Sequence, residues 1–155
     1  MSTGLTWRTV SSSSAKTEQL AESLGSNLRG GEAIELISDL GGGKTTFVRG
    51  LARGLGSPDK VHSPSFTISN EYRAGALTLH HFDFYRLSEP GIMRDELAEV
   101  LTDPRAVTVV EWADIVEDVL PKDKLTVRIK TTGENDRELS FEYPEQLKYL
   151  VKGIA

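Results

Sequence analysis

Apolar and polar positions alternate along this chain in two rhythms, one of period two and one near four. Residues 5–10 alternate loosely, as a half-buried strand does, and the serine run at 11–14 suits a turn and a helix N-cap. Leu20, Leu24 and Leu28 then recur every fourth residue with Ala21 beside them, which predicts an amphipathic helix over residues 15–29 closed by Gly30 and Gly31. Residues 33–37 form a short apolar-rich run, the signature of a buried strand. A glycine cluster follows, and Phe47, Val48, Leu51, Ala52 and Leu55 return to helical spacing. This stretch therefore reads strand, loop, helix.

That helix stops at Gly56-Ser57-Pro58, and residues 61–72 are polar, interrupted by Pro64 and without helical period. They predict a loop leading into an extended segment. Residues 77–83 read as a strand, 95–101 as a short helix that stops before Pro104, and 106–111 as another buried strand. Two strands thus end in carboxylates, Asp83 and Glu111. Ile115, Val116, Val119 and Leu120 give a helical stripe ended by Pro121. Leu125, Val127 and Ile129 alternate on one side of T-T-G-E-N-D, and Leu139, Phe141 and Tyr143 on the other, which predicts a β-hairpin. Pro144 is tolerated in a first helical turn, so a last short helix is expected to run to Lys152. The 155 residues show no internal repeat or linker and suit one domain over 1–155.

Composition narrows the classes. Apolar residues make up 38% and charged residues 26%, close to globular averages, so neither a disordered nor a fibrous class is suggested. No apolar run approaches the roughly 20 residues that cross a bilayer, and the N-terminus lacks a secretory leader pattern, so a cytoplasmic protein with no membrane partner is expected. The absence of cysteine excludes disulfide and thiolate chemistry. A formal charge of −5 opposes autonomous gripping of a phosphate backbone, because such affinity comes from Lys and Arg neutralising phosphates. A local basic patch among Arg49, Arg53, Arg73, Arg86 and Arg94 is the exception to look for, although solvated surface is their ordinary role.

The sequence S-D-L-G-G-G-K-T at residues 38–45 matches the phosphate-loop pattern G-x-x-x-x-G-K-[ST] at every fixed position but the first, where Ser38 stands for glycine. Backbone amides of Gly41, Gly42 and Gly43, with Leu40 before them and Thr46 after, are placed to converge on phosphate oxygens at a helix N-terminus. Lys44 reaches the β- and γ-phosphates and the Thr45 hydroxyl is a Mg²⁺ ligand in such a loop. If the first position requires positive φ, Ser38 carries strain on the order of 1 kcal/mol.

Phosphoryl chemistry of this kind needs a second Mg²⁺ anchor and a group that orients water. Asp83, at the end of H-F-D-F-Y-R, is assigned to the metal. Glu111 closes a buried strand, on the side where α/β sheets bind ligands, and is assigned to water positioning or general-base action, with metal contact as a further candidate role. Residues 63–67, S-P-S-F-T, occupy the place of a nucleotide-sensing switch loop, making Ser65 and Thr67 candidates alongside an ordinary Ser/Pro turn. Trp112 is a candidate for stacking near nucleotide or partner, or else a core aromatic. His80 and His81 lack a third spaced His or Cys and read as structural histidines.

Four ordered motifs, S-D-L-G-G-G-K-T-T-F, S-P-S-F-T-I-S-N-E-Y, H-F-D-F-Y-R-L and E-W-A-D, together resemble the TsaE (YjeE) family across about residues 38–114. The helix before them and the hairpin after also suit it. The resemblance implies an α/β P-loop NTPase fold with a mainly parallel central sheet flanked by helices and a C-terminal antiparallel β-hairpin. It implies ATP or ADP with Mg²⁺ as cofactors. It further implies an ATPase acting with the TsaB and TsaD proteins in tRNA N6-threonylcarbamoyladenosine modification, meeting tRNA only through that complex. By motif match Lys44 and Thr45 take the phosphate and Mg²⁺ roles, Asp83 the second Mg²⁺ contact and Glu111 hydrolysis, with Thr46, Ser65, Thr67 and Trp112 following. Ser38 and Ser65 depart from the family's usual Gly and Thr. A small-molecule kinase and a non-hydrolysing nucleotide switch are the competing functions. The missing N-K-x-D motif argues against guanine.

Overall fold

The computed structural model describes residues 4–39, 43–61, 69–85 and 91–154. Seven strands form one sheet: β1 (Leu5–Ser11), β2 (Ala33–Ser38), β3 (Ser69–Ala74), β4 (Leu77–Asp83), β5 (Ala106–Glu111), β6 (Leu125–Thr131) and β7 (Arg137–Tyr143). Their spatial order is β1-β7-β6-β2-β5-β4-β3. The four inner strands β6, β2, β5 and β4 run parallel, whereas the β6-β7 hairpin with β1, and the β3-β4 hairpin, add antiparallel pairs on both flanks. The expected parallel centre and C-terminal hairpin are therefore present in a sheet that is mixed. The pairing of β1 with β7 and the β3-β4 hairpin were not anticipated, because strand partnering is set by non-local packing.

One face of the sheet is covered by α1 (Ser14–Gly25) and α2 (Lys44–Leu55), together with a 3₁₀ segment over Glu145–Val151. Ala21, Leu24, Phe47, Leu51, Val109, Val127 and Phe141 are buried there. The opposite face carries a smaller cluster, in which Leu97 of α3 (Gly91–Leu101) and Val116 join Phe82, Phe84 and Val110. All six residues of β5 are buried, as expected of a parallel strand packed on both sides.

Helix α1 begins where the serine run predicts, with the Ser13 hydroxyl accepting from Lys16 N at 3.1 Å. It ends at Gly25, short of the expected Gly30-Gly31, since the chain turns tightly and Asn27 Nδ2 donates to the Leu150 and Lys152 carbonyls. The reason for the glycine is close approach. A methyl group on Gly25 would overlap the Leu51 carbonyl oxygen, and one on Gly50 would overlap the Glu18 carbonyl oxygen, so the two helices touch backbone to backbone. This contact clamps α2, whose first residue is Lys44.

Three smaller boundaries differ from expectation. The third helix starts at Gly91 rather than residue 95. The stripe after Glu111 forms only a 3₁₀ turn over Ala113–Val116, and the C-terminal helix is 3₁₀ rather than α. Among the described residues no helix is long and apolar enough to cross a membrane.

Candidate active site

The carboxyl ends of β2, β4 and β5 lie side by side, with Asp83 in register with Glu111 and Glu111 with Leu36. Ser38 ends β2 without positive φ, so the anticipated strain at that position does not arise: among described non-glycine residues only Trp112 has it. The Ser38 hydroxyl donates to Asp39 O at 2.9 Å. Asp39 in turn ties the start of the loop to β6, accepting from Thr131 N at 3.2 Å and Thr131 Oγ1 at 3.0 Å. Gly43 sits at φ 100° as the residue before α2, a conformation that a side chain would strain. No side chain caps this helix start, which leaves its first amides available to an anion. Leu40, Gly41 and Gly42 lie outside the described residues, as do Ser65, Thr67 and Arg86.

Lys44 reaches back across the strand ends and places Nζ 3.2 Å from Glu111 Oε1. The other carboxylate oxygen, Oε2, bonds His81 Nε2. Glu111 is only 3% exposed, so its charge relies on these two partners. Burial pushes its carboxyl up, yet the His81 hydrogen bond and charge together with Lys44 outweigh it and hold the group below its ordinary 4.5. Asp83 behaves oppositely. Burial raises its carboxyl above the ordinary value, against the hydrogen bond from Tyr85 N to Oδ1 at 3.0 Å, and neighbouring Glu111 adds to the rise. An under-compensated carboxylate beside the phosphate loop suits a cation.

Among the described residues no group of three or more His, Asp or Glu side chains is disposed to hold a metal by itself. Mg²⁺ is usually bound through one or two protein oxygens plus substrate phosphates. Thr45, in the first turn of α2, and Asp83, at the end of β4, are the residues that could hold it. Both Glu111 oxygens are already engaged by nitrogen donors. This arrangement favours proton chemistry at Glu111 over metal contact.

Trp112 does not enter the core. It is 42% exposed and adopts the left-handed conformation (φ 55°, ψ 52°) as the chain leaves β5. Its ring meets that of Tyr85 at 4.9 Å between centroids, and Lys44 Nζ lies 5.3 Å from its centroid. Lys44 and Trp112 form one wall of a cleft of about 270 Å³ whose other walls include Ser38, Glu35 and Arg128. The strand ends are joined by Phe84 N donating to Glu111 O at 3.1 Å.

His81 is the site residue that sequence reasoning missed. Wholly buried, it was read as structural, but it bonds the catalytic candidate directly. The signal was present in the period-two rule, since His81 and Asp83 point to the same face of one strand. Of the five arginines of the candidate basic patch, three among the described residues are paired with acids. Arg49 and Arg53 pair with Glu18, and Arg94 pairs with Asp118.

A cleft at the carboxyl ends of parallel strands, with Gly43 and Lys44 opening a helix beside two acidic strand ends, is the arrangement of a P-loop protein. The family profile described as "Threonylcarbamoyl adenosine biosynthesis protein TsaE" matches residues 11–139. The chain belongs to the TsaE family. It is 40% identical to the tRNA threonylcarbamoyladenosine biosynthesis protein TsaE of Bacillus subtilis, over 88% of this chain and 84% of that protein. With the protein of the same name from Treponema pallidum it shares 35% identity over 86% of this chain and 98% of the other. The crystal structure of Bacillus subtilis YdiB superposes with a TM-score of 0.72 at 36% identity, covering 94% of this chain and 89% of that one.

Proposed function

We propose that this chain is the ATP-binding and ATP-hydrolysing member of the machinery that makes N6-threonylcarbamoyladenosine in tRNA, working with TsaB and TsaD proteins. The observation that carries the reading is the Lys44–Glu111 contact of 3.2 Å at the mouth of a phosphate loop, in a chain of the TsaE family. Nucleotide phosphates entering the loop draw Lys44 away from Glu111 and leave a buried, ionised carboxylate facing the γ-phosphate. Glu111 then accepts a proton from water as the water oxygen bonds the γ-phosphorus. The bond from that phosphorus to the bridging oxygen breaks, releasing ADP and phosphate. Thr45 and Asp83 are the residues that would hold Mg²⁺, which would supply positive charge to offset that on the phosphates.

The charge pattern supports protein partners over direct tRNA contact: the net charge is −5, and Arg49, Arg53 and Arg94 are already neutralised by acids. Trp112 and Tyr85, exposed beside Lys44, form an aromatic surface through which a partner senses the occupied site. A cytoplasmic location follows from this role.

The test is ATP hydrolysis by the purified chain alone and with TsaB and TsaD from the same source, with and without Mg²⁺. Marked stimulation that Glu111→Gln removes is the expected result. Intact nucleotide binding without any response to the two partners overturns the assignment to this machinery. Full hydrolysis by Glu111→Gln overturns the role of Glu111.

A further inference from the structure

Glu111 has two partners of different kinds. Lys44 is 18% exposed at its side chain and belongs to the phosphate loop, so it must leave when nucleotide binds. His81 is 0% exposed and lies on β4 beside β5, the strand that Glu111 ends. Once Lys44 turns to the phosphates, His81 is the remaining donor to this carboxylate among the described residues. It bonds Oε2, so the freed Oε1 is the oxygen presented towards the phosphate loop.

The imidazole's other nitrogen supports the same view. His81 Nδ1 is buried without a hydrogen-bond partner among the described residues. Buried polar atoms of that kind are uncommon, and a residue that merely filled space here would be better replaced by an apolar one. The orphaned Nδ1 is explained by the work of Nε2. With Glu111 ionised, the contact puts the proton on Nε2, and a nucleophile-activating base oriented by a third buried group is the arrangement that triads use.

We infer that His81 is a positioning residue for hydrolysis: it holds Glu111 by Oε2 while Lys44 moves to the nucleotide, and so fixes which carboxylate oxygen faces the attacking water. The inference rests on the reading of Glu111 as the group that activates water.

The experiment compares His81→Gln, His81→Asn and His81→Leu with the native chain, in complex with TsaB and TsaD, for kcat and for affinity towards a fluorescent ADP analogue. A glutamine amide nitrogen reaches the place of Nε2, whereas an asparagine amide reaches only that of Nδ1. Expected are a kcat reduced about ten- to a hundredfold in His81→Asn and His81→Leu, nucleotide affinity within about threefold of native, and substantial rescue by His81→Gln. Adding His81→Leu to Glu111→Gln should lower kcat no further. Equal kcat in the Asn, Leu and native chains overturns the inference, as does equal loss in all three variants. Should the variants not fold, the native imidazole is read by nitrogen NMR: a protonated Nε2 whose resonance moves in Glu111→Gln supports the inference, and an unprotonated Nε2 overturns it. If Glu111→Gln hydrolyses ATP fully, the reading of Glu111 itself fails, an outcome distinct from a silent His81.

Discussion

Glu32 and Glu111 are two equally buried glutamates at opposite ends of the neighbouring central strands β2 and β5, 4% and 3% exposed, and they are satisfied in opposite ways. Glu32, just before β2, accepts from Arg29 N and Gly30 N, each at 2.8 Å, and from the Tyr149 hydroxyl at 2.6 Å. Two of its donors are backbone amides that cannot leave, and Arg29 lies 3.9 Å over the Tyr149 ring to close the cluster. Burial, with Glu32 next, raises the Tyr149 hydroxyl above its ordinary pKa, so it stays a donor. Glu111 instead depends on side chains, one of which is the phosphate-loop lysine. A buried carboxylate bound by backbone holds the fold together. One bound by a lysine with another task is poised to act, because its compensation can be withdrawn.

The comparison breaks most sharply at Glu111. Glu111→Gln should lower partner-stimulated ATP hydrolysis about 10²- to 10⁴-fold, the usual contribution of a general base, with nucleotide affinity nearly unchanged. Steady-state kinetics beside a binding titration checks it. Glu32→Ala should do the reverse. It strands two amides and a phenol hydroxyl, costing on the order of 3 kcal/mol. For a chain of this length that is a fall of roughly 6–12 °C in melting temperature, with kcat of the surviving folded protein preserved. If Glu32→Ala spared stability and impaired turnover, the contrast between the two carboxylates would be wrong.

Smaller effects refine the picture. Lys44→Ala should weaken ATP or ADP binding about ten- to a hundredfold, as loss of hydrogen bonds to a charged group predicts, which equilibrium titration measures. The smallest effect concerns acid. Because the Glu111 carboxyl is depressed in the folded chain, its contribution to stability is full above the ordinary 4.5 and is lost as pH falls through the lower folded value. Unfolding free energies of the native chain and Glu111→Gln should therefore converge below that pH and separate above it. Parallel curves would show that Glu111 is not held as its geometry indicates.

Much of this was legible in the residues. The strand, glycine loop and helix around residues 33–55 follow from local periodicity and glycine placement, and both acidic strand ends fall where the apolar runs stop. Helix ends were less legible. The early stop of α1 depends on Gly25 meeting Leu51 and on Asn27 reaching the C-terminal segment, contacts between residues far apart in the chain.

The sequence by itself pointed to the class of chemistry, because a phosphate loop needs particular residues at fixed local spacing, with Lys44 and Thr45 at a helix start and Asp83 and Glu111 at strand ends, contexts readable from period alone. Tertiary structure decided who touches whom. That β4 lies beside β5, so that His81 meets Glu111, and that Trp112 turns outward over Lys44 instead of entering the core, are consequences of strand order and chain reversal. Neighbour choice in a sheet is settled by the packing of distant segments, and no local pattern of side chains encodes it.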